Sequence, residues 1–414
     1  MRTHRALGFH IVWHDARLRW LLTEFRLIVN EAIRIALRED IRSRNRLVRA
    51  AYEHLSRRHS VYKQYIPSAF EVALAALKGH RRRIRRGRKS SVPYVRRLLL
   101  KAENQSYRLD RRTGHLRIPI RAREHVELDL PLSDWHRRFL GDPTWGLGSL
   151  TIVPGKAVVI VRKEGPKQYE AEAAIALDTN EDSLDGVLAS GVQARLLTVP
   201  LDGVRRVQAI HFRRRRRLAR KKANDCRICR RLLAREGTRE RNRVKQRLHS
   251  TSKNIVKVAK AAKAVIVLEN LTIQGAGSQS RRLNRRLSSW PRREIHRQIE
   301  YKAALEGVPV IKINPQYTSR TCPACGARRR ERAGKVFACA KCGWRMDRQL
   351  NAGLNILRTA LASNEALARA VRFQPAALRD DVVIPLYDFL REGRAAWEEP
   401  SGVESGTSEM PDRT

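Results

Sequence analysis

Four cysteines in two pairs form the clearest chemical pattern in the sequence. Cys322 and Cys325 make one CxxC pair, Cys339 and Cys342 make the second, and a glycine follows each pair. Thirteen residues separate the pairs, and this spacing is typical of two knuckles that close a tetrahedral four-thiolate zinc site. The alternative is two disulfides or four buried thiols, which the lack of a secretory signal disfavours.

Three acidic residues lie at points where the pattern of apolar and polar residues in the sequence changes. Asp178 and Glu269 each end an apolar, strand-like run, and Asp347 comes five residues after Cys342, where a helical pattern begins. Carboxylates brought together repel one another unless divalent cations bridge them, and oxygen-rich sites of this kind hold magnesium. Two such ions can activate a water and stabilise the leaving oxygen of a phosphodiester. The alternative for a lone aspartate at a helix start is a partner of the helix dipole.

Other acidic and polar residues near these positions are expected to have structural roles. Asn351 and Asn355 follow Asp347 at i+4 and i+8, so they share one polar helix face. Asp182 and Asp185 are predicted to be turn residues.

Outside these groups, Cys226 and Cys229 form a CxxC in a basic helical region. We interpret them as helix-packing thiols, with a metal site completed by outside ligands as the alternative. His249, in the same region, is expected to lie on a helix face or contact phosphate.

The charge of the chain points to a polyanionic partner. The sequence has 86 Lys and Arg against 41 Asp and Glu, a net charge of +45, and nucleic acid is the default partner for such an excess. The run at residues 81–89 is one candidate contact. The other candidates are Arg213, Arg214, Arg215, Arg216, Arg217, Lys221 and Lys222. No apolar run approaches the roughly 18 residues of a membrane span, so we expect a cytoplasmic protein with no membrane contact.

The N-terminal half is predicted to be a β domain interrupted by helices. A strand in residues 6–13 precedes Asp15, which caps a helix with a clear apolar stripe. Ser68 and Glu71 form a capping box for a second helix that Gly79 should end. Short strands then build a small barrel or sandwich that the first strand completes. The helical lobe has a basic surface, and a helical bundle without nucleic-acid contact is its alternative.

From residue 171 onward the predicted elements follow the order β-β-β-α-β-α-β-α, which is the order of an RNase H-type fold. In that order Asp178 ends the first strand, Glu269 ends the fourth strand and Asp347 opens the last helix. We therefore expect the three carboxylates to converge at one edge of the sheet.

These residues resemble the TnpB proteins of insertion sequences, which are RNA-guided DNA nucleases related to compact type V CRISPR effectors. The matching motifs lie within residues 171–358 and are ALDTN at 176–180, LENL at 268–271, YTSRTCPACG at 317–326, CAKCG at 339–343 and DRQLNA at 347–352. The N-terminal half resembles the family only in its layout, a β wedge domain interrupted by a helical recognition lobe.

The resemblance implies a RuvC-type triad of Asp178, Glu269 and Asp347 that binds two magnesium ions. It also makes Cys322, Cys325, Cys339 and Cys342 the ligands of a structural zinc in the target nucleic-acid-binding insertion. The implied partners are a guide RNA and double-stranded target DNA in a prokaryotic cell.

The chain departs from the family pattern at three positions. Ala176 and Asn180 replace the glycines that usually flank the first aspartate, and Gln349 stands where the family usually has aspartate. A second alignment would put Ala189 in the catalytic position. We reject it because Asp178 follows a strand-like run and leaves room for two more strands before the helix.

The predicted architecture is a multidomain α+β protein. It has an RNase H-like (RuvC) nuclease domain with an inserted zinc ribbon, and an N-terminal β-barrel wedge domain interrupted by a helical lobe. The predicted boundaries are 1–14 and 106–170 for the wedge domain, 15–105 for the lobe, 171–319 and 343–361 for the nuclease domain, 320–342 for the ribbon, and 362–414 for a partly disordered C-terminal extension.

Two other functions remain open from the sequence. A nuclease-dead, RNA-guided DNA-binding protein is favoured if the departures around Asp178 and Gln349 disable metal binding. A DNA transposase of RNase H-like fold would need transposon-end DNA and no RNA.

Overall fold

The structure is a computed structural model. It describes residues 2–201, 203–220, 226–271, 280–329, 334–378, 382–386 and 388. The described chain divides into two compact units, residues 2–164 and the residues from Gly165 onward. Within the described ranges, no helix is both long enough and apolar enough to cross a membrane.

Two antiparallel sheets form the β part of the N-terminal unit. Its strands are β1 (Arg2–His10), β2 (Leu100–Ala102), β3 (Arg108–Leu109), β4 (His115–Arg121), β5 (Glu124–Asp129), β6 (Gly146–Val153) and β7 (Lys156–Glu164). One sheet has the order β1-β7-β6-β2 and the other the order β3-β4-β5. Because β1 pairs with β7 from end to end, the prediction that the first strand joins the β domain is confirmed. Closure of these sheets into a barrel stays a prediction.

Most helices of this unit lie between β1 and β2. They are α1 (Ala16–Arg38), α2 (Arg44–Arg58) and α3 (Tyr65–Arg85), and α4 (Asp134–Leu140) follows between β5 and β6. The predicted cap of α1 is confirmed, since Asp15 Oδ1 accepts a 2.7 Å hydrogen bond from the Arg17 amide. Helix α2 was not predicted, because its buried residues, Leu47, Ala51 and Leu55, form a narrow stripe among charged side chains.

The predicted limits of α3 were wrong. Ser68 is buried inside the helix, which begins at Tyr65 after Gln64. The start of α3 is therefore set by burial of its apolar first turn and not by the capping-box pattern. Gly79 does not end the helix, because one glycine costs only about 1 kcal/mol relative to alanine, and α3 continues to Arg85.

The C-terminal unit follows the predicted order of elements. Its strands are β8 (Ala173–Thr179), β9 (Ser183–Ser190), β10 (Gln193–Pro200), β11 (Ala264–Glu269), β12 (Val310–Ile313), β13 (Val336–Ala338), β14 (Arg345–Asp347) and β15 (Ile384–Pro385). Its helices are α5 (Val204–Arg220), α6 (Cys226–Ala261), α7 (Arg281–Ser289), α8 (Arg292–Glu306), α9 (Arg348–Ala362) and α10 (Glu365–Ala370). The predicted succession of strands and helices is confirmed, and the structure adds α7, α10 and the edge strand β15 to it.

One mixed sheet organises this unit, in the order β12-β11-β8-β9-β10-β15. β9 is antiparallel to β8 and β10, whereas β11 runs parallel to β8 and β12. Helices cover both faces. On β8, Ile175 and Leu177 pack towards α5, α6 and α8, while Ala174 and Ala176 pack towards α9 and the β13–β14 hairpin. A strand covered on both faces reads as a continuous apolar run, which is how β8 appears in the sequence.

A glycine pair sets the close approach of α9 to the sheet. A Cβ atom added to Gly353 would lie 2.5 Å from Gly186 Cα and 3.1 Å from the Asp185 carbonyl oxygen. Gly186 lies next to Asp185, and Asp185 pairs with Asp178. The helix is thus held against the end of the sheet that carries Asp178.

Candidate functional site

Asp178 and Glu269 occupy neighbouring positions near the ends of two parallel strands. Leu177 on β8 lies opposite Leu268 on β11, and the next residue on each strand is a carboxylate. Ala176 faces the α9 side of the sheet, so the alternation of side chains puts Asp178 on that side as well. Glu269 is buried, and Asp178 is half-buried.

The environment of Asp178 favours its protonated form. Burial and the nearby carboxylates of Glu269 and Asp185 raise the pKa of Asp178 to about 7, although the Asn180 side chain and the Thr179 amide lower it in part through hydrogen bonds. A bound cation would relieve this repulsion. The oxygen donors of Asp178 and Glu269 are the type that magnesium prefers, so the residues present fit such an ion.

A third carboxylate, that of Asp185, lies beside this pair, and the prediction of a turn residue was wrong. Asp185 is in β9, directly opposite Asp178, and only 6% of it is exposed. Its carboxylate accepts hydrogen bonds from Asn180 Nδ2 at 3.0 Å, from Thr198 Oγ1 at 2.5 Å and from the Ser183 hydroxyl. These donors fix the side chain close to Asp178.

The sequence offered one signal that could have separated Asp185 from Asp182. Asp185 has the apolar Leu184 on one side and Gly186-Val187 on the other, as in a strand, whereas Asp182 stands among polar residues. In the structure Asp182 lies in the bend before β9 and pairs with Arg205 at 2.9 Å. The prediction of a turn residue is confirmed for Asp182.

The motif before the first cysteine pair orients Glu269. Thr318 is buried, and its Oγ1 donates a 2.7 Å hydrogen bond to Glu269 Oε1. Asn355 on α9 in turn donates from Nδ2 to the Thr318 carbonyl at 2.9 Å. In the sequence Thr318 is part of the motif at 317–326, which gives no sign of this role.

Asp347 caps α9 and belongs to the cysteine-bearing hairpin. It is the last residue of β14, and its Oδ1 accepts a 2.7 Å hydrogen bond from the Gln349 amide. Among the described residues, only the four cysteines form a group of three or more His, Cys, Asp or Glu ligand atoms within 4.8 Å of one another. Asp347 therefore does not join Asp178 and Glu269 at that spacing.

The four cysteines converge as their spacing predicted. The Sγ atoms of Cys322 and Cys342 are 3.5 Å apart, and those of Cys325 and Cys339 are 3.6 Å apart. These separations exceed a disulfide bond and are near the roughly 3.8 Å expected of four thiolates around zinc at about 2.3 Å. The cluster can hold a zinc ion.

Backbone amides favour thiolate formation at one ligand. Burial opposes ionisation of Cys339, but the amides of Cys342 and Lys341 donate to its sulfur, and its pKa falls to about 7.

Helix α9 is fastened to the cysteine cluster by its polar face. Asn351 and Asn355 are buried, and their Nδ2 atoms donate to the Thr321 carbonyl at 3.0 and 2.7 Å. Trp344 Nε1 donates to Asn351 Oδ1 at 3.2 Å. The polar stripe predicted from the sequence thus binds the first cysteine knuckle.

The basic run on α5 divides into paired and exposed arginines. Arg215 pairs with Glu240, and Arg214 lies 3.7 Å from Glu236. The exposed members of the run are Arg213, Arg214, Arg216 and Arg217, and among them Arg213, Arg216 and Arg217 have no ion pair within the described residues. Lys221 and Lys222, predicted as further contacts, lie outside the described residues.

The remaining sequence candidates are two cysteines and a histidine of α6. Cys226 and Cys229 begin α6, but their side chains lie outside the described part of the structure. His249 Nδ1 lies 3.2 Å from the Tyr301 hydroxyl, which agrees with a helix-face position.

Family models match two segments of the chain. The model described as "Cas12f1-like, TNB domain" matches residues 293–356, which include the four cysteines and Asp347. The model described as "Uncharacterized protein MJ0013 family" matches residues 21–119.

Several curated proteins are similar in sequence. TnpB-like protein MJ0751 of Methanocaldococcus jannaschii is 25% identical over 57% of this chain and 87% of its own length. TnpB-like protein MJ1635 of the same organism is 24% identical over 72% of this chain and 69% of its own length. The CRISPR-associated endodeoxyribonuclease Cas12f2 of a Micrarchaeota archaeon is 33% identical, but over only 29% of this chain and 24% of its own length.

Solved structures share the fold. The Cas12f1 chain in a Cas12f1–sgRNA–target DNA complex aligns with a TM-score of 0.58 at 15% identity, covering 83% of each chain. The mini-RNA-guided endonuclease CRISPR-Cas_phi3 aligns with a TM-score of 0.52 at 12% identity, covering 86% of this chain and 92% of its own. The chain is thus similar in sequence to TnpB-like proteins over most of their length, and it shares its fold with Cas12f1.

Proposed function

We propose that the protein is an RNA-guided DNA endonuclease. A guide RNA would pair with target DNA next to a short flanking motif, and a two-metal carboxylate site would cleave phosphodiester bonds. Relatives named as CRISPR-associated endodeoxyribonucleases support DNA cleavage, and a fold neighbour solved with sgRNA and target DNA supports these partners. The protein would act in the cytoplasm of a prokaryotic cell.

One observation carries the proposal, namely the adjacency of Asp178 and Glu269 across two parallel strands. Together with Asp185 they concentrate negative charge at one end of a sheet in an otherwise strongly basic protein. In the sheet, β8, β9 and β10 are antiparallel neighbours, β11 and β12 continue in parallel beyond β8, and β15 is parallel to β10 at the other edge. This arrangement supports an RNase H-like nuclease domain.

The site residues have distinct roles in this proposal. Asp178, Glu269 and Asp347 would hold two magnesium ions, which when bound supply an activated water and stabilise the leaving oxygen. Asp178 must lose its proton to act as a ligand. Thr318 orients the Glu269 carboxylate through its hydrogen bond. The four cysteines would hold a structural zinc that positions the hairpin ending at Asp347.

Guide RNA accounts for the charge. In RNA-guided nucleases base pairing reads the target sequence, while the protein contacts the backbone and a short flanking duplex motif. The net charge of +45 and the exposed arginines Arg213, Arg216 and Arg217 fit such backbone contacts.

A nuclease-dead, RNA-guided DNA-binding protein is the second candidate. It is favoured by the position of Asp347, whose carboxylate caps α9 and lies outside any close ligand group with Asp178 and Glu269. The two candidates share the RNA and DNA partners and differ only in cleavage.

The test starts from RNA that copurifies with the full chain. Its sequence defines a matching DNA target, and we expect cleavage of that target in magnesium. Asp178→Ala should abolish cleavage and keep RNA-dependent target binding, while the exposed Asp182→Ala control should cut as the parent does. RNA-dependent binding without cleavage by the parent would favour the nuclease-dead protein. Protein purified without RNA that binds transposon-end DNA would favour a transposase.

A further inference from the structure

Tyr317 has a backbone conformation that tyrosine rarely adopts. Its φ angle is 68°, in the left-handed region where a Cβ atom is unfavourable and glycine or asparagine is preferred. Its carbonyl accepts hydrogen bonds from the Arg320 amide at 2.9 Å and the Thr321 amide at 3.1 Å, so the turn itself fixes this conformation. The backbone alone would favour glycine here and does not explain a tyrosine.

Burial does not explain the tyrosine either. Tyr317 is 40% exposed, and the guanidinium of the exposed Arg328 stacks on its ring, with Cζ 4.2 Å from the ring centroid. An exposed pair of this kind contributes little to stability. An exposed aromatic ring beside a cation is, however, the arrangement on which bases of single-stranded nucleic acid stack.

The residue that carries the ring precedes one that contacts the carboxylate site. Thr318, the next residue, donates its hydroxyl hydrogen bond to Glu269. Consecutive Cα atoms lie about 3.8 Å apart, so the backbone of Tyr317 lies one residue from the side chain that contacts Glu269.

We propose that Tyr317 and Arg328 form a stacking site for a base of single-stranded DNA next to the carboxylates of Asp178 and Glu269. The proposal rests on the nuclease function proposed above and adds a residue that positions the substrate strand. The site accepts any base, because every base has a π face. Arg328 stacks on the ring and supplies positive charge for the DNA backbone.

The experiment measures stacking without cleavage. The full chain carrying Asp178→Ala, with its copurifying RNA, is mixed with a single-stranded oligodeoxynucleotide containing 2-aminopurine, whose fluorescence falls when the base stacks. We expect quenching that Tyr317→Phe keeps and Tyr317→Leu removes. Tyr317→Leu should also weaken binding by about 5- to 140-fold, the range that corresponds to one stacked base. The salt dependence of binding should not change, because stacking releases no counterions.

A glycine variant separates a substrate role from a structural role. Tyr317→Gly relieves the left-handed strain, so its Tm should be at least that of the parent while quenching is lost. Lys263→Gly is the matched control. Lys263 also has a positive φ, of 47°, but it precedes β11 at the end opposite Glu269, so quenching should persist.

The outcomes distinguish this inference from the proposed function. Unchanged quenching and affinity in Tyr317→Leu would overturn the stacking site. A lower Tm or loss of zinc in Tyr317→Gly would show that the ring is structural and would overturn it as well. Failure of the parent to cleave its target in magnesium would instead contradict the nuclease function, since the stacking measurement needs no cleavage.

Discussion

Asp185 lies directly opposite Asp178 in the antiparallel pair of β8 and β9, buried and held by three hydrogen-bond donors. The two carboxylates therefore share one end of the sheet with Glu269. Their repulsion, added to burial, raises the pKa of Asp178 to about 7.

The first prediction is a pH dependence of magnesium binding that Asp185 controls. Below pH 7 a proton on Asp178 competes with the ion, so we expect affinity to fall by about tenfold per pH unit. Asp185→Asn removes one repelling charge and should shift this fall to lower pH. Calorimetric titration with magnesium between pH 5.5 and 8 measures this affinity, and the exposed Asp182→Asn is the control. Identical profiles for the parent and Asp185→Asn would contradict the coupling.

The same raised pKa affects stability in magnesium-free protein. Between the unfolded pKa, about 4, and the folded pKa, about 7, the folded state keeps a proton that the unfolded state has released. Stability should therefore fall as pH rises through this window. Asp178→Asn should flatten the trend in Tm against pH.

The second prediction uses two glycines in helices. Gly353→Ala puts a Cβ atom 2.5 Å from Gly186 Cα, and we expect a loss of about 1–3 kcal/mol in the free energy of unfolding. Gly79→Ala in α3 meets nothing within 4 Å and should raise stability by about 0.5–1 kcal/mol. Denaturant titration measures both changes. A neutral Gly353→Ala would show that α9 does not need this close approach.

The third prediction concerns zinc. Cys339→Ser should lower the zinc content and increase hydrogen exchange in β13 and β14, because metal ligation joins the two cysteine knuckles. Lys341→Ser, an exposed change inside the same knuckle, should keep both properties. Metal analysis of parent protein purified without chelator should find one zinc per chain. Protein without zinc would contradict the hypothesis of a structural zinc site.

The fourth prediction separates the arginines of α5. Arg216→Glu with Arg217→Glu should reduce the slope of log affinity against log salt by about 0.7 to 0.9 for each lost phosphate contact. Arg215→Glu should act mainly on stability, because it opposes Glu240. An unchanged slope in the double variant would show that this surface does not bind nucleic acid.

The sequence by itself determined the features that depend on local pattern. The CxxC spacing identified the four cysteines, whose sulfur atoms converge, and the apolar runs identified β8 and β11 with Asp178 and Glu269 near their ends. These predictions succeeded because a strand buried on both faces and a metal knuckle each impose a periodicity or spacing on nearby residues.

Only the tertiary structure decided the features that depend on distant pairing. Asp185 became a buried neighbour of Asp178 because of the register between β8 and β9. Thr318 became the hydrogen-bond partner of Glu269 because α9 holds the turn that contains it. The motif that contains Tyr317 does not show that its φ angle is positive or that its ring is exposed, and both are seen only in the structure. Glu269 and Thr318 are far apart in the sequence, so no local pattern relates them. The packing of α9 and the turn at Thr318 against the sheet brings them together.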